Sequence, residues 1–443
     1  MNEKPISINL SVSKFVGKNK ADNKLKFSFE VNGEKGERNS EMTMVNFDLQ
    51  NKGNLVYRLL DCTLTFMDDL PYEGQTLRYD ISINSFVSNG DNLLFFFSYL
   101  CYVQDRLVLK MDGGCAGFFA DDQLVDGAGV VYANSEIEAR KNAERKYFTP
   151  LLNTQKTSFS KQDLQHLIDG DIEKCFDDIS YFPNGRNSSL RIPPEKILML
   201  DRITSVDLTG GAYGLGYIVA EKDLHPDDWY FPCHFRDDEV LAGSLQAEGG
   251  GNLLRFFMLM LGLQRMTKDA RFQPIFGLGQ KVRCRKQVTP TADTKLIYKL
   301  EIKEIGLFPD PYVIGDLEII SDGIITVHFE NLGLQLREKS NPKYLDPTEG
   351  VKIAPRSEGA LMNEKDITTF ALGDLKECFG PDFGVYDGRT LSRQPNGYLQ
   401  LISRIVKVDG KRGDFSTTPI YAEYDVPQDA WYYEQNSAIT MPY

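Results

Sequence analysis

The chain repeats itself at two fixed offsets, and this restricts its fold more than any other feature. Pro71, Leu77, Tyr79 and Ile83 recur 219 residues later as Pro290, Leu296, Tyr298 and Ile302. Arg202-Ile203, Val206-Asp207, Ala220-Glu221, Asp223 and Trp229-Tyr230 recur 202 residues later as Arg404-Ile405, Val408-Asp409, Ala422-Glu423, Asp425 and Trp431-Tyr432. Asp171–Phe176 (DIEKCF) returns as Asp374–Phe379 (DLKECF). Self-similarity of this kind means several copies of one supersecondary unit. The middle copy is complete. The first lacks its front half, and the third stops at Met441-Pro442-Tyr443, where its helix is due. The expectation is pieces of three copies, in a chain that is a fragment of a longer protein.

Each copy reads as antiparallel strands. In the first, LVYRLLDCTLTF, TLRYDISINSFV, LLFFFSYLCYV and RLVLKMDG are β-branched or aromatic runs parted by turn signals at Asp68-Asp69-Leu70-Pro71 and Asn89-Gly90-Asp91. In the second, ILMLDRITSVD and YGLGYIVAEKD precede one long apolar helix, Leu245–Leu263, and four further strands follow it. One buried helix among antiparallel strands implies an α+β layer packing with the sheet wrapped around the helix. The pattern divides the chain into 1–133, a partial and degenerate first unit; 134–190, a linker with short helices at Ser135–Lys146 and Lys161–Phe176; 191–340, the complete unit; and 341–443, the start of a truncated third unit.

Composition limits function by exclusion. The 50 basic and 63 acidic residues give a net charge of −13, which argues against a dedicated nucleic-acid binder. The most apolar runs, Leu93–Val103 and Leu253–Leu263, are too short to span a bilayer, and the N-terminus lacks the shape of a secretory signal. The seven cysteines are scattered, without a CxxC or Cys/His cluster. They read as reduced thiols of a cytoplasmic protein, so no metal site is expected.

Four histidines are present, and His234 differs from the other three. It lies in the aromatic run Trp229–Phe235 (WYFPCHF), just ahead of Val240–Ser244 (VLAGS) and the long helix. A lone histidine there could be a satisfied core residue. The helix adds a polar stripe, with Glu248, Asn252 and Arg255 at i, i+4 and i+7. That stripe could be a structural Glu–Arg pair, yet a buried carboxylate needs a reason. Ser244 is a candidate cap, and the free N–H groups at Gly243 favour a developing negative charge. Gly249-Gly250-Gly251 weaken a helix by about 1 kcal/mol each, so they imply close approach by a neighbour. A base, a carboxyl group and an oxyanion donor suit elimination of water from a β-hydroxy carbonyl compound; hydrolysis of a thioester could use some of the same parts.

His234-Phe235, Val240-Leu241-Ala242-Gly243 and Glu248 resemble the FabA/FabZ-like β-hydroxyacyl-acyl carrier protein dehydratase family, whose pattern is H-F-x-x-x-x-[VI]-M-P-G-x-x-x-x-[DE]. Phe276–Val288 (FGLGQKVRCRKQV) resembles the family's strand after the helix. From about Asn51 onward the chain is similar to the dehydratase region of bacterial multienzyme polyunsaturated fatty acid synthases, through Val56–Phe66, Thr76–Asn84, Lys110–Phe119, Phe148–Asn153 and Trp229–Gly243. The resemblance implies tandem hotdog folds, with the first and third copies incomplete. It implies (3R)-hydroxyacyl substrates on the phosphopantetheine of an acyl carrier protein, no bound cofactor, other synthase domains as partners, and a homodimer. By the same resemblance His234 is the base, Glu248 the acid and Gly243 the oxyanion donor; Asn252, which orients the acid, and Phe235 are the substrate-binding residues. The family's M-P-G is Leu-Ala-Gly here. Glu41–Asp48 stands where the first unit's helix is due, with Glu41 an alternative acid, and Asn436-Ser437-Ala438 occupies the third unit's His position. A non-catalytic scaffold module and an acyl thioesterase are the alternative readings.

Overall fold

The computed structural model describes residues 15–18, 25–31, 34–39 and 55–434, with breaks at 90–91, 126, 182–188, 339–358, 391 and 411–416. Strands β1 (Phe15–Lys18), β2 (Leu25–Val31) and β3 (Glu34–Asn39) form a small separate sheet. The first unit supplies β4 (Val56–Phe66), β5 (Thr76–Asn89), β6 (Asn92–Val103) and β7 (Arg106–Phe119). The middle unit supplies β8 (Arg202–Asp207), β9 (Tyr217–Leu224), the central helix Gly243–Met260, β10 (Ala270–Pro274), β11 (Gly279–Cys284), β12 (Thr294–Gly306), β13 (Tyr312–Ser321) and β14 (Ile324–Glu338). Two more strands, β15 (Arg404–Val408) and β16 (Thr418–Asp425), come from the C-terminal part.

Thirteen strands, β4 to β16, join in one sheet of order β15-β16-β5-β6-β7-β4-β11-β14-β13-β12-β9-β8, with β10 on β14. Read outward from the β4–β11 pair, both halves follow the same order. The middle unit runs β11-β14-β13-β12-β9-β8, and the other half runs β4-β7-β6-β5-β16-β15. The expected third unit is therefore not a separate start. Its two strands are the front half that the first unit lacks. Register proves the equivalence: Tyr298 pairs with Ala220 in one half and Tyr79 with Ala422 in the other, the partners related by the two offsets of the sequence. Arg202 forks onto Glu221 and Asp223, and Arg404 forks onto Glu423 and Asp425 in the same way.

The seam obeys the same symmetry. β4 and β11 pair antiparallel with Lys281 opposite Thr63 and Val282 opposite Cys62, so a local two-fold axis passes between those pairs. Trp229 and its repeat Trp431 stack edge-on across the axis at 5.7 Å. The outer side of β11 is already filled by β4 of the same chain.

The middle unit is a complete hotdog. Leu296, Tyr298, Leu300 and Ile302 of β12 are fully buried under the central helix, as are Leu253, Leu254, Phe256 and Phe257 on the helix itself. Burying side chains of this size stabilises the fold by about 1.5–3 kcal/mol each. A Cβ on Gly249 would collide with the Tyr298 ring, and one on Gly250 with Leu317, so these glycines let helix and sheet close up. The stretch expected as a linker is partly core. Phe159 bridges to Ile203, and Phe159 and Phe176 pack against Phe256 and each other. Its second expected helix is two, Lys161–Asp169 and Ile172–Phe176, parted by Gly170 in the left-handed region (φ 82°). The other half has a smaller core in which Leu77, Cys101 and Val108 meet Tyr424 and Tyr432. There Tyr79, Ile81 and Ile83 stay half-buried. Glu41–Asp48 and Asn436–Ala438 lie outside the described residues. No helix among the described residues is long and apolar enough to cross a membrane.

The two arginine forks differ in exposure: the Arg404 side chain is 10% exposed and the Arg202 side chain 33%. Exposed ion pairs contribute about 0.2–1 kcal/mol, whereas breaking a buried one costs about 3–5 kcal/mol. Arg404→Met should therefore lower unfolding free energy several times more than Arg202→Met. Equal losses in urea titrations would mean that β15 and β16 contribute little to the fold.

Candidate active site

After β9 the chain turns through the aromatic run, and packing fixes it: Phe231 is buried, and the Tyr230 hydroxyl donates to Asp228 at 2.6 Å. The His234 N–H donates to the Phe231 carbonyl at 3.1 Å. The imidazole Nδ1 lies 2.9 Å from the Val240 carbonyl oxygen. A carbonyl only accepts, so Nδ1 carries the proton and Nε2 keeps its lone pair. Burial is the largest influence on this ring and lowers its pKa from the usual 6.5; the Val240 carbonyl opposes the shift, and the Arg58 charge adds to it. His234 is thus a neutral imidazole with one basic nitrogen.

The central helix starts at Gly243, shortly after the turn that follows His234. Its N-cap is Ala242, with no side-chain cap, so Ser244 does not play the capping role expected of it. Gly243 and Ser244 are exposed, and open space lies over the Gly243 Cα. The first N–H groups of a helix have no partner inside it and carry its positive dipole end.

A cavity of about 260 Å3 joins these features. The middle unit gives it His234, Ala242 and Ser244; the first unit gives Tyr79; the C-terminal part gives Ile367 and Leu401 among others. The sequence singled out Tyr79 only as a repeat of Tyr298 and gave no sign of the C-terminal wall. Contact across the seam, which no spacing encodes, creates that wall.

Glu248 lies elsewhere. Its Oε1 accepts from Asn252 Nδ2 at 2.8 Å and from Arg255 Nη1 at 2.5 Å, and the Glu248 and Arg255 side chains are 7% and 9% exposed. Burial raises the Glu248 carboxyl pKa, while Arg255 and Asn252 pull it down. No hydrogen bond or ion pair joins Glu248 to His234, and Glu248 does not line the cavity. Asn252 holds the carboxyl and does not line the cavity. Phe235 is buried with its ring centroid 3.9 Å from that of His234, so it packs against the imidazole instead of lining the cavity. The structure therefore puts His234 on the cavity with Ala242 and Ser244, the neighbours of Gly243 at the helix start, and sets Glu248, Asn252 and Arg255 along the helix interior. Among the described residues, no three His, Cys, Asp or Glu side chains converge on a point that could hold a metal ion.

Comparison with known proteins bears on this geometry. Residues 192–330 match the model of the FabA-like domain. A polyunsaturated fatty acid synthase polypeptide of a Thraustochytrium species is 31% identical over 516 aligned residues, covering 89% of this chain and 34% of the relative. The chain thus spans about a third of that curated relative's length. Among solved structures, a MaoC-like dehydratase is 12% identical with a TM-score of 0.31, over 64% of this chain and 75% of that one. The dehydratase domain of RzxB from Pseudomonas fluorescens is 11% identical with a TM-score of 0.26, over 59% and 76%. The match at 192–330 coincides with the complete hotdog unit and its His234, so the chain carries a FabA-like domain and is similar to a stretch of a polyunsaturated fatty acid synthase.

Proposed function

We propose that this chain removes water from 3-hydroxyacyl thioesters presented on the phosphopantetheine arm of an acyl carrier protein. The observation that carries this reading is the His234 tautomer: a neutral imidazole on the cavity beside an uncapped helix start. His234 Nε2 takes the proton from the carbon next to the thioester carbonyl. The negative charge that builds on the carbonyl oxygen is met by the Gly243 N–H. The C–O bond to the hydroxyl then breaks, a proton joins the departing oxygen, and the double bond forms. The imidazolium produced in the first step is the acid at hand for that proton. Glu248 holds the family's acid position, yet its carboxyl is committed to Arg255 and Asn252, so here its part is to fix the helix. Tyr79 and the C-terminal wall supply the apolar side of the site for the acyl chain.

An assay with a carrier-bound 3-hydroxyacyl thioester, followed by enoyl absorbance, tests the reading. Wild type should form the enoyl product, and His234→Gln should lose about 10²–10⁴-fold while remaining folded. Release of free carrier thiol without enoyl product would make the protein a thioesterase, and no turnover would make it a scaffold. Glu248→Gln leaves Arg255 buried without its charge partner, at a cost of about 3–5 kcal/mol. We expect a large fall in melting temperature and activity within tenfold of wild type in the folded fraction; a loss on the scale of His234→Gln would return the acid role to Glu248.

The pH profile follows from the buried imidazole. A lowered pKa keeps the base form below the usual 6.5, so kcat/KM should hold its plateau through pH 6.5 and fall only at more acid pH. An acid limb centred above 6.5 would contradict the buried neutral ring.

A further inference from the structure

The loop that carries His234 is held by the other half of the molecule. Arg58, on β4, donates from Nη1 to Asp238 Oδ2 at 2.7 Å and from Nη2 to Asp238 Oδ1 at 2.6 Å. Its Nε and Nη2 donate to Gln287 Oε1 at 2.9 and 2.6 Å, and Nη1 also reaches the Tyr57 carbonyl at 2.7 Å. The Arg58 and Asp238 side chains are 12% and 8% exposed, so this is a bidentate pair shielded from water.

Both of its targets are anchors of the His234 loop. Phe235 and Asp238 exchange backbone hydrogen bonds at 3.0 and 3.2 Å, which closes a tight turn directly after the histidine. Asp237 within that turn has a left-handed φ of 62°. The Val240 N–H returns to the His234 carbonyl at 2.8 Å, and the Val240 carbonyl receives the imidazole Nδ1–H. The next residue, Leu241, donates to the Val288 carbonyl at 2.8 Å, and Val288 adjoins Gln287. One guanidinium therefore grips the turn after His234 and the segment past β11 that holds the residues before Gly243.

We infer that Arg58 is a positioning residue for His234: by holding Asp238 and Gln287 from across the β4–β11 seam, the first unit fixes the direction in which the middle unit presents its imidazole. The inference rests on the dehydratase reading for its kinetic arm only. Arg58 touches no reacting atom and acts through the loop. The charged groups that face the imidazole are Arg58 from β4 and Asp238 from its own loop, with opposite effects on the ring's protonation. Tyr79 of β5 lines the same cavity, and the C-terminal wall contributes no titratable side chain to it. Arg236 and Asp237 pair with each other at 3.4 Å.

The test compares Arg58→Lys, Arg58→Gln and, as a control at the same seam, Arg285→Gln, all in the full chain. Arg285 pairs with Asp61 of β4 at 2.8 Å but does not touch the loop. Misplacing a catalytic group by about 1 Å costs up to about 10²-fold, so both Arg58 variants should lose kcat by about 10–100-fold with KM nearly unchanged. Arg58→Lys keeps the charge and should leave the acid limb in place. Arg58→Gln removes it and should move the limb, and the His234 pKa read by imidazole NMR, to higher pH. Arg285→Gln should change neither. Wild-type kcat and an unmoved His234 signal in both Arg58 variants overturn the inference. So does an equal effect from Arg285→Gln, or failure of both Arg58 variants to fold, since each makes the contact merely structural. If wild type turns over no 3-hydroxyacyl thioester, the dehydratase reading falls, and the His234 signal alone decides the role of Arg58.

Discussion

The β4–β11 pairing is the contact on which the rest depends. Five residue pairs join the two halves into one sheet. The cavity takes its base and helix start from one side and Tyr79 from the other. Arg271 of β10 reaches Asp69 of the first unit at 2.6 Å, with both side chains almost fully buried. Antiparallel pairing makes such a junction specific. A one-residue slip would turn every β4 side chain to the opposite face and remove Arg58 from its loop.

The central helix shows how a charge is kept inside. A buried carboxylate alone is costly by many kcal/mol, and attraction to a buried cation repays that only with good geometry and further hydrogen bonds. Glu248 meets both conditions on its own helix, through Arg255 one turn beyond Asn252. Glycine on the opposite side brings the helix against Tyr298 and Leu317. The helix that the comparison identifies as part of a FabA-like domain is therefore fixed by packing on one face and by an ion pair on the other.

Much of this was legible in the sequence. The repeats gave the register, since Tyr79 and Tyr298 hold equivalent places in the two halves. The apolar helix and His234 stood out by pattern and surroundings. Offsets report equivalence and not adjacency, however, so the repeats could not say that Arg404–Asp425 completes the sheet begun at Val56. The stripe of Glu248, Asn252 and Arg255 fitted both an acid and a structural pair, and only side-chain geometry separates the two. Arg58 gave no signal at all, because its partners Asp238 and Gln287 lie 180 and 229 residues away.

The composite half also sets an order of events during synthesis. β5 pairs with β16, and Thr76 bonds Asp425 across 349 residues of chain. At about 5–20 residues per second, a ribosome needs roughly 20–70 s to deliver the second strand after the first. Through that interval β5 is an open edge, with Tyr79, Ile81 and Ile83 on the strand. Unpaired apolar edges recruit other chains. The middle unit has all its strands and its helix in sequence by Glu338, so it can fold while that edge waits. The nascent chain is thus most vulnerable to aggregation after one half is finished and before the other can close, a hazard that a chaperone covering the β5 edge would relieve.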